Sequence, residues 1–461
     1  MFTLGVDVGS TNTKVVLVAG AGEVRGARRA DTPGDPDALV RLVRTQIAAL
    51  ADGVPVAAVG VASMAETGVP LDADDRPIGP LLRWDARRGT TDADRLADAY
   101  GRAALFAATG VRPAGKTPLA TWAWLRRTRP EVFGRMARWA GVADLVGLAL
   151  TGRLVTDHTL AGRTMAYRLP AADAGLPAGF DADLLDAVGL RPAQLPAVGP
   201  VARALPGVLP AGTPVVVAGH DHAVGAWAAG VRGAGAVADS LGTAESLIRV
   251  LGAPVDRGSV AAQGMSLVRT VGGREALVAG SPAAGAALDP FLAQLRPASG
   301  PQALDRDAVL AAASALPARP TGLVVLPYPA GRQCPDPDPS ARLRVIGTGG
   351  GPAELTRALV EGLACQARWM YEAQRDLAAA PDGPVTVLGG TGPWLRVKAA
   401  VSRVPLRHVT AAEPVATGAA LLAAYRAGLT AEPPGLPTGP LDAPDPGYEE
   451  QYRAFLRAAR D

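Results

Sequence analysis

Leu4-Gly5-Val6-Asp7-Val8-Gly9-Ser10-Thr11-Asn12-Thr13-Lys14-Val15-Val16-Leu17-Val18 is the first readable stretch of the chain. Residues 4–8 are a short apolar run, 9–13 a turn of small residues, and 15–18 a second apolar run, which together predict a β-hairpin. A tight turn of glycine and small hydroxyl residues aims several backbone N–H groups at one point, an arrangement suited to phosphate oxygens. Asp7, at the end of the first run, is placed to reach Mg²⁺ through water, since Mg²⁺ takes few carboxylates and keeps several waters. Taken alone, the same residues also read as an ordinary hairpin, and no GxxxxGK[ST] motif is present.

Outward from the hairpin, Asp35-Pro36 offers an N-cap and a first-turn proline. Leu39, Val43, Ile47 and Leu50 follow at helical spacing, so 36–51 is expected to be an amphipathic helix, with 54–61 the next, buried strand. Hairpin, helix and strand in this order predict a mixed sheet covered by helices. The pattern recurs halfway along: residues 234–239 run into the turn Ser240-Leu241-Gly242-Thr243, and 246–250 leave it as a second strand. An internal duplication explains this echo. It predicts an N-terminal domain over 1–232 and a C-terminal domain over 233–461, with the boundary near Val231-Arg232-Gly233. Residues 118–150 read as helical, with Trp122, Leu125, Val132, Trp139 and Leu145 facing a core. Residues 430–447 read as irregular, and Tyr448 to Arg460 as a closing helix.

Composition narrows the function classes. A chain of 461 residues predicts two large domains. The net charge is only +3, and no cationic cluster appears, which argues against a nucleic-acid partner. Just three residues are lysines: Lys14, Lys116 and Lys398. The two cysteines, Cys334 and Cys365, form no CxxC pair and no disulfide framework. No signal peptide is visible, because Asp7 interrupts the apolar start. The apolar stretch Val215 to Ala238 carries His220, Asp221, His222 and Arg232, which a bilayer would penalise, so no membrane span is expected. The expected location is the cytoplasm.

Val216-Val217-Ala218-Gly219-His220-Asp221-His222-Ala223 delivers a carboxylate to a Gly-flanked position after an apolar strand. That places Asp221 at the carboxyl end of a strand, where α/β proteins gather ligands. Such a carboxylate can act as general base toward an attacking hydroxyl. Two other readings stay open: metal binding through His220 and His222, and a structural aspartate capping the next helix.

At this point the chain resembles the FGGY carbohydrate kinases, which share the actin/hexokinase/Hsp70 ATPase fold. Asp7 to Lys14 is similar to the family's first phosphate motif, and Leu241-Gly242-Thr243 to its second. Val387-Leu388-Gly389-Gly390-Thr391-Gly392 resembles the adenosine segment, and Ala416-Thr417-Gly418-Ala419-Ala420 the small-residue helix that follows it. Residues 328–335 with Ala341-Arg342, and the run Arg357-Ala358-Leu359-Val360-Glu361-Gly362, match two further family segments. The resemblance implies an α/β fold of two actin-like (ribonuclease H-like) domains with a nucleotide cleft between them. It implies ATP and Mg²⁺ as cofactors, with Gly389, Gly390 and Gly285 against the nucleoside. Ser10, Thr11, Asn12, Lys14, Gly242 and Thr243 would serve the phosphates, Asp7 the Mg²⁺, and Asp221 the acceptor hydroxyl.

The acceptor side departs from the family. Ser63-Met64-Ala65-Glu66-Thr67 lies where glycerol kinases carry Arg-Glu and xylulose kinases Met-His, with Ala65 at the Arg or His position. The family's Trp-x-Asp appears as Arg83-Trp84-Asp85-Ala86-Arg87, its acid one place early. Met64, Glu66, Trp84, Asp85, Asp221 and His222 are the expected substrate-binding set, since a hydroxyl-rich ligand needs polar acceptors and an aromatic wall. The function expected is ATP-dependent phosphorylation of a small sugar, a pentulose such as xylulose or another ketose or polyol, with a homodimer as a possible assembly. A catalytically idle regulator of the same fold, and an actin- or chaperone-like ATPase, are the alternatives.

Overall fold

The structure is a computed structural model that describes residues 1–199, 201–282, 284–299, 304–390 and 392–461. Thr391 of the expected adenosine segment lies outside the described residues. Two compact units are present: 1–232 with 266–276 and 411–437, and 233–265 with 277–410 and 438–461.

In the first unit, β1 (Phe2–Val8) and β2 (Asn12–Ala19) pair as the expected antiparallel hairpin, with Asp7 opposite Lys14. A third strand, β3 (Glu23–Asp31), extends the sheet beyond β2. It is polar and largely exposed, with little apolar alternation to announce it. Helix α1 (Pro36–Ala51) starts where predicted, Asp35 Oδ1 accepting from Ala38 N at 2.7 Å. Its Leu39, Val43 and Ile47 bury against Leu4, Val6, Val59 and Val61 of the sheet. Next, β4 (Val56–Ser63) runs parallel to β1 on one side and to the strand Pro214–His220 on the other. Ser63 stands opposite both Val8 and His220, so these three strands end level. That register brings Asp7 and Asp221 to one edge of the sheet, at the carboxyl ends of their strands.

The second unit repeats the plan. Val237–Leu241 and Glu245–Val250 form an antiparallel hairpin, and Val385–Gly389 runs parallel to the first of these with Gly389 opposite Leu241. The consecutive neighbours Glu275–Ser281, Glu245–Val250, Val237–Leu241, Val385–Gly389 and Leu406–Val409 repeat the order β3, β2, β1, β4 and Pro214–His220 of the first unit.

Three expectations are corrected. Residues 118–150 are not one helical stretch: helices Pro118–Thr128, Pro130–Arg135 and Val142–Thr151 flank a strand, Arg138–Gly141. Pro130 cannot continue the preceding helix, and Trp139 is buried from a strand paired with Gly68–Leu71. Residues 430–447 contain a short strand, Thr438–Pro440. Finally, the small-residue helix Pro414–Arg426 packs within the first unit, not with the rest of the C-terminal half.

The reason lies in two strand glycines. A Cβ at Gly5 would sit 1.8 Å from Ala416 O, and one at Gly60 1.9 Å from Ala419 O, so the helix backbone lies directly on the sheet. Gly60→Ala is therefore expected to destabilise the protein by about 2–3 kcal/mol through overpacking. Urea denaturation followed by far-UV circular dichroism checks this. A loss below about 0.5 kcal/mol would show that the contact is not tight. The closing helix Tyr448–Arg460 forms as predicted, and among the described residues no helix is long and apolar enough to cross a membrane.

Candidate functional site

Asp221 opens the helix Asp221–Ala228, directly after the strand Pro214–His220. Gly219 makes the junction with a φ of 134°, and a Cβ there would meet Thr159 Oγ1 at 2.4 Å. Thr159 Oγ1 accepts from His220 N at 2.9 Å and donates to Asp157, which is fully buried. Asp157 is held far below the usual carboxylate range: the charges of His158 and Arg426 and its hydrogen bonds outweigh its burial. This ionised anchor fixes the backbone immediately before Asp221.

Asp221 itself accepts from His222 N at 2.6 Å, and its Oδ1 lies 3.5 Å from His220 Nε2. Burial, aided by the nearby charge of Asp7, pushes its carboxyl up to about 7. Burial pushes His222 the other way, to about 4, and the Arg163 charge adds to that. His220, Asp221 and His222 bring one ligand atom each within 4.8 Å of one another, so the metal reading keeps a geometric basis.

Asp7 is buried in the first turn. Its Oδ2 lies 3.4 Å from Lys14 Nζ, which in turn is 3.1 Å from Glu413 Oε2. Burial raises the Asp7 carboxyl and Lys14 opposes this. Asp7 Oδ1 is buried with no partner among the described residues, which leaves it able to accept a further one. Gly9 N donates to Asn12 O at 3.0 Å, closing the turn. Ser10 O accepts from Arg83 and Asn12 Oδ1 from Arg29, which holds both in place.

Glu66 shares this unit. It is buried at a φ of 66°, with Oε2 3.1 Å from Lys116 Nζ and Oε1 2.8 Å from Arg163 Nη2. These two cations overcome burial and hold its carboxyl below the usual range. Lys116 Nζ also stands 5.8 Å from the Trp84 ring centre. The electrostatics of His222 and Asp221 both register Glu66, so Glu66, His222 and Asp221 share one neighbourhood with Asp7 and Lys14. Met64 is 5% exposed and belongs to the core beneath β4, and it lines one pocket with Glu66 and Thr67. Asp85 is paired with Arg83 at 2.8 Å, its side chain 45% exposed, and Arg83 also donates to Ser10 O. Lys116, Arg163 and Glu413 were missed in the sequence, because each reaches the site from a distant segment with no local motif.

In the second unit, Gly285 N donates to Gly242 O and Ala286 N to Thr243 O, both at 3.0 Å. Gly389 and Gly390, with φ of 77° and 78°, lie against Leu241. Gly242, Thr243, Gly285, Gly389 and Gly390 therefore converge around one turn. Lys398 underpins it with ion pairs to buried Asp239 and Glu245, on either side of that turn.

Comparison with known proteins fits this construction. The N-terminal domain model of the FGGY family of carbohydrate kinases matches residues 2–228, and the C-terminal domain model residues 237–427. The chain is 26% identical to the xylulose kinase of Escherichia coli (strain K12), across 98% of this chain and 96% of that protein. It is 27% identical to the glycerol kinase of Aromatoleum aromaticum (strain DSM 19018 / LMG 30748 / EbN1), across 93% and 90%. The crystal structure of ligand-bound xylulose kinase from Lactobacillus acidophilus matches with a TM-score of 0.85 at 19% identity, covering 100% of this chain and 98% of that one, a likeness of fold. Two successive domain matches, over two stretches that each carry a small-residue hairpin turn, establish that this chain belongs to the FGGY family of carbohydrate kinases, enzymes that take the phosphoryl group from ATP.

Proposed function

We propose that this enzyme phosphorylates a hydroxyl of a small sugar, a pentulose such as xylulose or another ketose or polyol, with Asp221 as general base. The observation that carries this reading is the Asp221 carboxyl, set at a strand end beside Glu66 and His222 and raised to about 7. A base with that affinity is half ionised at neutral pH and still able to accept a proton.

In the proposed reaction the acceptor oxygen attacks the γ-phosphorus of ATP, the bond from that phosphorus to the β,γ-bridging oxygen breaks, and ADP leaves. The hydroxyl proton passes to Asp221. Glu66, His222 and Trp84 orient the acceptor. Neutral His222 offers one donor and one acceptor, which suits a hydroxyl. Ser10, Thr11, Asn12, Lys14, Gly242, Thr243, Gly285, Gly389 and Gly390 are assigned to the nucleotide. Asp7 would hold Mg²⁺, which when bound neutralises phosphate charge.

A coupled ADP-release screen across four- to seven-carbon sugars, polyols and cyclitols tests the reading. ADP formation dependent on one acceptor class is expected, and no acceptor-dependent ADP would refute it. The pH profile should follow the base. Below about 7 the Asp221 carboxyl is protonated and cannot take the hydroxyl proton, so kcat/KM for the acceptor should rise about tenfold per pH unit and level off above about 7. A flat profile between pH 5.5 and 7 would count against Asp221 as the base.

A further inference from the structure

The Glu66 neighbourhood has a cationic corner that phosphoryl transfer leaves unused. Position 65 is alanine, so the segment carrying Glu66 supplies it with no cation. Both partners arrive from elsewhere: Lys116 precedes the helix Pro118–Thr128, and Arg163 follows the helix His158–Ala161. One carboxylate between two cations leaves a net positive charge.

The corner is also rich in donors. An ammonium has three N–H donors and a guanidinium five, and neither can accept. Lys116 directs Nζ to Glu66 Oε2 at 3.1 Å while its side chain stays 26% exposed beside Trp84. Arg163 gives Nη2 to Glu66 Oε1 at 2.8 Å. Its Nε and Nη1 are buried without a partner among the described residues, and the residue as a whole is 9% exposed. Buried donors left over in this way point to an oxygen still to come. Glu66 and Thr67 also line a pocket with Pro118 and Thr164, the latter adjoining Arg163.

Resting on the assignment of this neighbourhood to the acceptor, we propose that Lys116, with Arg163 behind Glu66, is a specificity-determining residue that recognises an sp² oxygen on the acceptor, a ketose carbonyl or a sugar-acid carboxylate. Such an oxygen brings lone pairs and no hydrogen, whereas a hydroxyl turns a proton toward two cations unless it rotates away. Hydrogen bonds from charged donors are about twice as strong as neutral ones, which gives the preference its size.

The test uses the full chain and matched acceptors: xylitol, xylulose and xylonate, then glucitol, fructose and gluconate. Calorimetry reads binding, and ADP release reads turnover. In the unaltered enzyme, the ketose or the acid of at least one series is expected to bind ten times tighter than its polyol; which of the two does so identifies the oxygen. In K116M that ratio should fall toward one, and K116R should restore part of it. The proposal is overturned if no ketose or acid outbinds its polyol, or if K116M weakens all members of a series by the same factor, as a purely structural lysine would. A ketose or acid that binds with the preference but releases no ADP refutes the kinase reading and leaves the role of Lys116 standing.

Discussion

Asp221→Asn is expected to lower kcat by roughly 10³-fold or more, within the range of about 10²–10⁴ that a positioned general base contributes. The substitution isolates proton acceptance from everything else the residue does. Asparagine keeps the side-chain shape, and its carbonyl oxygen can still accept from His222 N, the 2.6 Å bond made by Asp221 Oδ1. The start of the helix Asp221–Ala228 should therefore survive. The amide nitrogen already carries its hydrogens and cannot take another at neutral pH. ATP binding should change little, because the turn proposed to serve the phosphates closes through Gly9 and Asn12 independently of Asp221.

Stability provides an internal control. The Asp221 carboxyl is raised from 3.8 to about 7, so the folded state holds a proton that the unfolded chain has released between those values. Wild-type stability from this group is full below about 4 and declines as pH rises through 7. The asparagine variant lacks that decline and should melt higher than wild type at pH 8. Turnover within tenfold of wild type would remove Asp221 from the role of base. A variant that is inactive and also melts lower at every pH would show a structural role instead.

The sequence was most legible where function depends on short, contiguous turns. The hairpin around Gly9–Thr13, its echo at Ser240–Thr243 and the Gly-flanked Asp221 all declare themselves locally, because small residues between apolar runs have few other uses. What stayed hidden was assembled through space. Arg163 meets Glu66 across 97 positions, and Glu413 meets Lys14 from the far end of the chain. The return of Pro414–Arg426 to the first unit had a signal after all: isolated glycines at positions 5 and 60 inside strands mark close backbone approach. The polar strand Glu23–Asp31 gave only a faint one, since its half-buried face carries just Val24, Gly26 and Ala30, too little apolar surface for the alternation that identifies strands.

Lysine scarcity was a further signal. In a chain whose cations are otherwise all arginine, Lys14, Lys116 and Lys398 each end on a buried carboxylate: Asp7, Glu66, and the pair Asp239 and Glu245. A compact ammonium on a flexible stem fits between two carboxylates where a planar guanidinium needs more room.

Lys398→Met tests the most deeply buried of these sites. Lys398 is 5% exposed, Asp239 1% and Glu245 2%, with Nζ 2.7 Å from Asp239 Oδ2 and in contact with Glu245 Oε1. Burial pushes Glu245 up to about 7, Asp239 adds to this, and Lys398 restrains it. Methionine keeps the length and volume of the side chain, so the loss is one of charge. Removing one partner of a buried ion pair typically costs about 3–5 kcal/mol, because the other charge is left uncompensated. The cost should depend on pH with a definite sign. Without the ammonium, the Glu245 carboxyl in the folded state rises further above its unfolded value, so the folded variant binds extra protons and loses stability as pH increases. The gap between variant and wild type should be small at pH 5 and approach its full size at pH 8, as read from urea denaturation at each pH. Asp239 and Glu245 bracket residues 240–244, so the same loss should raise KM for ATP before it unfolds the chain. Adding Glu245→Gln to the variant should recover part of both, since it removes one of the stranded charges. A pH-independent deficit, or a variant within about 1 kcal/mol of wild type at pH 8, would mean that Lys398 neither neutralises this pair nor holds the turn between its members.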